Sequence, residues 1–237
     1  KSPEYASKAQ VEYIYGFMQD LEDAIYSDTG YNSKGKHYSE YIDVDSLILY
    51  YLIEEISMDA DGTWASFYFY KESDSKGDGK LHCAPVWDFD LAYYNFGRKV
   101  VNSNGDSVWT SNPKELYIAK FPIHGYDPEI GDGLSSENPN TCGMSWIAML
   151  YQREDFVKRV AELYYECYDA YLLELTDTTQ ENGALITRMG EEIQPSAEMN
   201  NAATHMYGGK EYRKLGPENG QNFTECVDYI RSFAERR

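Results

Sequence analysis

Apolar residues recur at helical spacing in the first sixty residues of the chain and predict two helices. The first is predicted to start at Ser2-Pro3-Glu4, where a capping serine, a first-turn proline and an acid near the positive end of the helix dipole coincide. The second is predicted from about Val44, capped by Asp43, to about Ser57. Its sequence "SLILYYLIEEIS" is apolar on nearly every face, so we expect it to be buried in the middle of the fold. The apolar positions of the first helix are Val11, Ile14, Phe17 or Met18, Leu21 and Ile25.

A polar segment flanked by two strand-like runs predicts a β-hairpin after the second helix. The run "ASFYFYK" alternates and is rich in aromatic residues, as strands are. The segment "ESDSKGDGK" (72–80) is predicted to be the hairpin turn, and "LHCAPVW" the returning strand. The acids of "MDADGTW" precede this hairpin and Asp88-Phe89-Asp90 follows it.

The second half of the chain is predicted to be mostly helical. Residues 96 to 140 are rich in Gly, Asn, Pro and Ser and are predicted to be mostly loop, which at that length is usually functional or partly mobile. A helix from about residue 180 is predicted to be interrupted at Pro195 and to resume at Ser196. The other predicted helices are "SWIAMLYQ", "DFVKRVAELYYECYDAYLLEL" and one from Asn222 that buries Val227, Ile230 and Phe233.

The composition fits one folded domain with an acidic surface. Of 237 residues, 42% are apolar, which is enough for a well-filled core. We therefore predict a single α+β domain over residues 1–237, mostly helical with one hairpin. Forty Asp and Glu against 21 Lys and Arg give a net charge of −19, which repels nucleic acid and anionic lipid and attracts divalent cations. No apolar run approaches the ~20 residues of a membrane span.

The cysteines and histidines are scattered along the chain. No C-x-x-C occurs, so a structural zinc site is not expected, and two disulfides of a secreted protein or four buried thiols both remain open. No histidine pair has metal-ligand spacing, which favours packed or surface roles. The richness in acids and tyrosines favours a secreted bacterial protein, extracellular or at the cell surface. The residues are Cys83, Cys142, Cys167 and Cys226, and His37, His82, His124 and His205.

Pairs of aspartates separated by one residue are the main chemical signal. The first pair opens the second helix and is expected to cap it. The other two pairs lie at the open end of the predicted hairpin, so Asp61 and Asp88 should be near neighbours. Carboxylates brought together repel each other unless a cation lies between them, and hard oxygen ligands suit Mg²⁺ or Mn²⁺. The pairs are Asp43/Asp45, Asp59/Asp61 and Asp88/Asp90.

A buried helix, a loop with an aspartate, a hairpin and then an Asp-Phe element is the layout of a protein-kinase catalytic lobe. On this hypothesis Asp61 accepts or orients the attacking hydroxyl, Asp88 holds the metal ion, and Asp90 is a candidate second ligand. The alternative is that these acids are hairpin-end turn residues in water.

The stretch "YIDVDSLILYYLIEEISMDADGTWASFYFYKESDSKGDGKLHCAPVWDFDLAYYN" resembles the CotH kinase-like family, named for spore coat protein H. The lead-in "KSPE…YI" and the tail "DFVKRV…PSAEMNN…YIRSFAERR" resemble its later portion, so the resemblance spans nearly the whole chain. It implies an atypical kinase-like fold that transfers phosphate from ATP to protein Ser/Thr with Mg²⁺ or Mn²⁺. Asp61 would match the catalytic-loop aspartate and Asp88 the metal-binding one, while Glu55 and Asn95 match recurrent positions.

Two departures keep a non-catalytic reading open. The family's nucleotide-covering N-terminal lobe is expected to be missing from these residues, which contain no G-x-G-x-x-G and no V-A-I-K-like strand lysine. Ser66 stands where an ordinary kinase carries a metal-binding asparagine. The chain is therefore either the C-terminal lobe of a kinase-like protein or a non-catalytic module of a bacterial surface or carbohydrate-degrading assembly.

Overall fold

The fold is described from a computed structural model. It describes residues 5–59, 66–93, 99–101, 107–109, 113–114, 116, 118, 146–179, 183–204 and 222–237. This part of the chain is mostly helical with two small antiparallel sheets, which confirms the mostly helical α+β class. Likeness to a kinase lobe and the single domain over residues 1–237 stay predictions.

Helix α1 (Lys8–Ile25) begins later than the sequence pattern predicted. Ser7 caps it in a reciprocal arrangement: the Gln10 amide donates to Ser7 Oγ at 3.3 Å, and the Ser7 amide donates to Gln10 Oε1 at 2.8 Å. The predicted start at Ser2-Pro3-Glu4 lies outside the described residues, and the capping box that satisfies the first amides of α1 is at Ser7. Of the predicted apolar positions of α1, Leu21 and Ile25 are buried, whereas Val11 and Ile14 are exposed.

Helix α2 (Val44–Ser57) lies at the centre of the fold, with the predicted bounds and the predicted cap. The Ser46 amide donates to Asp43 Oδ1 at 2.6 Å, which satisfies one of the first amides of the helix. Buried residues lie along most of α2, as its nearly all-apolar sequence predicted. They include Leu47, Ile48, Tyr50, Tyr51, Leu52, Glu54 and Glu55.

The predicted hairpin forms, with shorter strands than the alternating pattern suggested. Strands β1 (Phe69–Lys71) and β2 (Leu81–Cys83) are antiparallel, and Tyr70 lies opposite His82. The segment before α2 runs beside β2, since the Asp43 amide donates to the Leu81 carbonyl at 2.8 Å. The hairpin is thereby fixed against the start of α2, with its turn at one end and its open end leading to Asp88.

A second hairpin lies in the region predicted to be mostly loop. Strands β3 (Lys99–Val101) and β4 (Ser107–Trp109) pair antiparallel, with Val100 opposite Val108. The loop prediction is therefore wrong at these two strands. They were missed because a strand of three residues is too short to show alternation against a background of glycines and polar residues.

Helices make up the described second half of the chain. One long helical stretch changes from α to π winding and back, through α4 (Glu154–Cys167), a π segment (Tyr168–Leu172) and α5 (Leu173–Thr176). The helix predicted to break at Pro195 runs through it, so that prediction is wrong. Pro195 is exposed, and the carbonyl that loses its hydrogen bond to the proline can bind water instead. The helices are α3 (Trp146–Leu150), α4 (Glu154–Cys167), α5 (Leu173–Thr176), α6 (Leu185–Thr204) and α7 (Phe223–Arg236).

One apolar core joins α1, α2, α4, β2 and α7, with Leu21, Ile48, Leu81, Phe156 and Phe233 among its buried residues. Phe233 is buried as predicted from its helical spacing, whereas Val227 and Ile230 are only partly buried. Among the described residues, no helix is long and apolar enough to cross a membrane.

Candidate functional site

The predicted site lies at the open end of the first hairpin, and the structure describes part of it. Ser66, Asp88 and Asp90 are described, whereas Asp61 and Asn95 lie outside the described residues. The predicted meeting of Asp61 with Asp88 therefore stays a prediction.

Asp88 stands at a sharp change of backbone direction just after the hairpin. It adopts the left-handed conformation, with φ 71° and ψ 54°, and a short 3₁₀ turn (Phe89–Leu91) follows at once. Aspartate tolerates this conformation better than most residues. Asp88 and Asp90 are both exposed. The turn thus presents two carboxylates to solvent, where a ligand can reach them.

A buried serine holds the Asp88 carboxylate. Ser66 is only 5% exposed, and its hydroxyl donates to Asp88 Oδ2 at 3.3 Å. The backbone at Ser66 is itself fixed from α2, since the Tyr50 hydroxyl donates to the Ser66 carbonyl at 3.2 Å. The sequence marked Ser66 only as a departure from the kinase pattern. Its contact with Asp88 was missed because it depends on how the two strands pair.

Two buried acids lie at the end of α2. Glu54 and Asp59 are both fully buried, and the Asp59 amide donates to the Glu54 carbonyl at 3.1 Å just past the left-handed residue Met58. Burial, and then the nearby charges of Glu54 and Asp59, raise the pKa of the Tyr50 hydroxyl far above its ordinary value. Tyr50 is therefore a protonated donor at neutral pH. The alternative in which all these acids are turn residues in water does not hold for Asp59.

Glu55, one of the recurrent positions in the resemblance, has a structural partner. Its side chain and that of Arg237 are each 6% exposed, and they form an ion pair. The Arg237 guanidinium also donates to the Glu55 carbonyl, from Nε at 2.9 Å and from Nη2 at 2.6 Å. These contacts fix the end of α2 to the end of α7.

The segment after Asp90 is fixed to the same end of α2. The Tyr93 amide donates to the Ser57 carbonyl at 2.6 Å. The acidic turn is thus held on one side by Ser66 and on the other by α2. Asp88, Asp90 and the Ser66 hydroxyl offer only oxygen donors, a set that fits Mg²⁺ or Mn²⁺.

A second group of metal-type side chains lies near the closed end of the hairpin. Single ligand atoms of Asp43, Asp78 and His82 all lie within 4.8 Å of one another. No motif in the sequence predicted this group, because its three residues come from a helix cap, a turn and a strand with no ligand spacing. His82, predicted to have a packed or surface role, is therefore also part of a group of potential metal ligands.

The remaining candidates take structural roles where they are described. Trp146 stacks on Phe69 with ring centroids 5.6 Å apart, as expected of a core aromatic. Asp45 binds Arg159 of α4. The described cysteines are free thiols, and Cys142 lies outside the described residues.

Comparison with known proteins found a match to one family model. No curated protein and no solved structure matched the chain. The family model described as "CotH kinase protein" matches residues 1–237. This match covers all of the residues in the sequence, including the hairpin and the Asp88-Phe89-Asp90 turn. The chain therefore belongs to the CotH kinase protein family.

Proposed function

We propose that this protein transfers the terminal phosphoryl group of ATP to serine or threonine hydroxyls of a protein substrate, with Mg²⁺ or Mn²⁺. The observation that carries the proposal is the Ser66–Asp88 contact at the open end of the hairpin. It holds an exposed carboxylate in place, as a metal ligand must be held. Membership of a kinase family supports the same chemistry.

The residues would divide the work as follows in phosphoryl transfer. Asp88, with Asp90 as second ligand, would hold the cation, which when bound neutralises charge on the phosphates. Asp61 would orient the attacking hydroxyl and accept its proton. Ser66 and Tyr50 would keep Asp88 in position. Because positioning is most of this catalysis, a small displacement of Asp88 should cost much activity.

The test is Mn²⁺-dependent incorporation of labelled phosphate, using the longest natural form of the protein and a generic Ser/Thr substrate as acceptor. The wild type should label the acceptor and itself. Asp88→Ala and Asp61→Ala should each lower incorporation by about a hundredfold or more, as expected when a metal ligand or base is removed. Asp169→Ala removes an exposed acid on the π segment and should label like the wild type. Equal labelling by Asp88→Ala, or no labelling by the wild type, would refute the proposal.

The second candidate is a non-catalytic binding module, and a cleft beside α4 favours it. The cleft has a volume of about 610 Å³ and is lined by aromatic side chains that suit stacking on sugars. On this hypothesis oligosaccharides bind with unchanged affinity to Asp88→Ala and more weakly to Tyr165→Ala, with no labelling by any form. The lining tyrosines are Tyr51, Tyr151, Tyr164, Tyr165 and Tyr168.

The extracellular or cell-surface location stays a prediction. Fractionation of cells that express the natural gene would test it, with the protein expected in the medium or on the cell surface.

A further inference from the structure

Three potential metal ligands converge near the closed end of the hairpin, away from the acidic turn at Asp88. Asp43 is the cap of α2, Asp78 lies in the hairpin turn, and His82 is the middle residue of β2. The pairing of residue 42 with Leu81 brings the cap beside β2. No step proposed for phosphoryl transfer uses any of the three.

Neighbouring groups orient each of the three side chains. The His82 ring lies parallel to the Tyr70 ring, at 14° and 5.2 Å between centroids. The Lys80 amide donates to Asp78 Oδ1 at 2.8 Å. The Ser46 amide donates to Asp43 Oδ1 at 2.6 Å. Hydrogen bonds of this kind to the ligands orient metal sites and are part of what gives them affinity.

The spacing of the ligand atoms suits a single ion. His82 Nε2 lies 3.1 Å from Asp78 Oδ2. One ligand atom from each of Asp43, Asp78 and His82 lies within 4.8 Å of the other two. Ligands that bind one ion at ~2.1 Å are ~3 to ~4 Å apart.

The local charge also suits a cation. Among the described residues, no lysine or arginine forms a salt bridge with Asp43 or Asp78. The imidazole makes this a mixed nitrogen and oxygen set, which a surface cluster of acids alone is not.

We infer that Asp43, Asp78 and His82 form a second cation site that takes a transition metal such as Zn²⁺. The imidazole nitrogen selects against Mg²⁺, and the general order of affinities places Zn²⁺ above Mn²⁺. A bound ion would join the hairpin turn, β2 and the first turn of α2. The site stabilises the hairpin against α2 and stands whether or not the protein transfers phosphate.

Calorimetric titration of metal-free protein with ZnCl₂ tests the site. The wild type should bind one equivalent at the hairpin, and Mg²⁺ should not compete for it. His82→Gln and Asp78→Asn should each weaken that binding at least tenfold. His37→Gln and Asp74→Asn are matched controls, another histidine and another acid of the same turn, and should bind Zn²⁺ like the wild type. Asp88→Ala should also bind Zn²⁺ unchanged, which separates this site from the one proposed for phosphoryl transfer.

Histidine side-chain NMR adds a readout of Zn²⁺ binding on the wild type itself. Zn²⁺ should shift the ring nitrogens of one histidine, and that signal should be absent from the spectrum of His82→Gln. The inference is overturned if the wild type takes up no equivalent of Zn²⁺, if His82→Gln and Asp78→Asn bind it as tightly as the wild type, or if the shifted signal persists in His82→Gln.

Discussion

Ser66 is the residue on which the geometry of Asp88 most depends. Its hydroxyl is the described donor to the Asp88 carboxylate, and the contact lies at the edge of the buried core. Replacing a group that orients a metal ligand typically weakens metal binding about 10- to 100-fold. Ser66→Ala should therefore weaken Mn²⁺ binding about tenfold, measured by Mn²⁺ titration.

The same change should leave the fold intact, since one hydrogen bond to an exposed carboxylate contributes on the order of 2 kcal/mol. Ser73→Ala, which alters an exposed serine of the hairpin turn, is the matched control and should bind Mn²⁺ normally. Normal Mn²⁺ binding by Ser66→Ala would contradict the positioning role.

Cys83 should be inert although it is a free thiol. Burial raises its pKa to about 12, and Ser46 beside it only partly offsets this. At pH 8 about one molecule in ten thousand then carries the reactive thiolate. Iodoacetamide at pH 8 should label Cys83 only after unfolding, measured by mass spectrometry with denatured protein as control. Rapid labelling of Cys83 in the native protein would contradict its burial.

Single residues differ in how far the sequence could predict them. The cap at Asp43 followed from its chemistry and its place before an apolar run, because capping is a local interaction. The burial of Asp59 did not, because it depends on how α2 ends at Met58 and on what packs there. Ser66 was noticed as a substitution, but its partner lies 22 residues away in sequence.

Among the elements, α7 is fixed to α2 by one buried ion pair. Removing one partner of such a pair leaves the other charge buried, which typically costs 3–5 kcal/mol. Arg237→Ala should therefore lower the free energy of unfolding by roughly 3 kcal/mol, measured by urea denaturation. The Glu55 carbonyl and carboxylate both lose the guanidinium in this variant.

Arg236→Ala is the matched control for that measurement. Arg236 is adjacent in sequence, and its Nε donates to the Ser232 carbonyl within α7 rather than to α2. Arg236→Ala should unfold at nearly the same urea concentration as the wild type. If both arginine variants unfold at the same urea concentration, the ion pair with Glu55 is not what holds α7 to α2.

Helices α2 and α4 are joined by a surface ion pair whose contribution depends on pH. Arg159 donates to both oxygens of Asp45, at 2.9 and 2.7 Å, and this contact lowers the pKa of Asp45. Because the folded-state pKa is below the unfolded one, the pair stabilises the fold above the unfolded pKa, and that contribution is lost as the pH falls through the folded pKa.

Asp45→Asn should accordingly lower the urea midpoint at pH 7, modestly because the pair is partly exposed to solvent. The difference from the wild type should shrink as the pH is lowered below the ordinary pKa of aspartate, about 4. A difference that stays constant or grows in acid would show that Asp45 acts by some route other than its charge.

Element predictions succeeded where the signal was local and long. Helix α2 has a strong cap and a continuous apolar sequence, so its bounds could be read directly. The hairpin β3–β4 was missed because its strands are too short for alternation to be visible. Pro195 was assigned a break that did not occur, since a helix with that face in water tolerates one lost hydrogen bond.

For the whole molecule, the negative net charge favours cation binding at both proposed sites, the turn at Asp88 and the group around His82. A net charge of −19 on 237 residues draws cations to the surface and makes metal ions natural partners. The resemblance to the CotH family that the sequence motifs indicated is confirmed by the family model, which matches residues 1–237. The metal group at Asp43, Asp78 and His82 lay beyond sequence reasoning, because only the packing of the hairpin against α2 brings these residues together.

On the proposed function, the open end of the hairpin binds a cation through Asp88 for use with ATP. This is tested by measuring Mn²⁺ binding in the presence of ATP with electron paramagnetic resonance. The protein carries His82→Gln, which removes the second site. We expect one tightly bound Mn²⁺, with its affinity lowered at least tenfold by Asp88→Ala and unchanged by Asp169→Ala. Equal Mn²⁺ binding with and without the Asp88 carboxylate would contradict it.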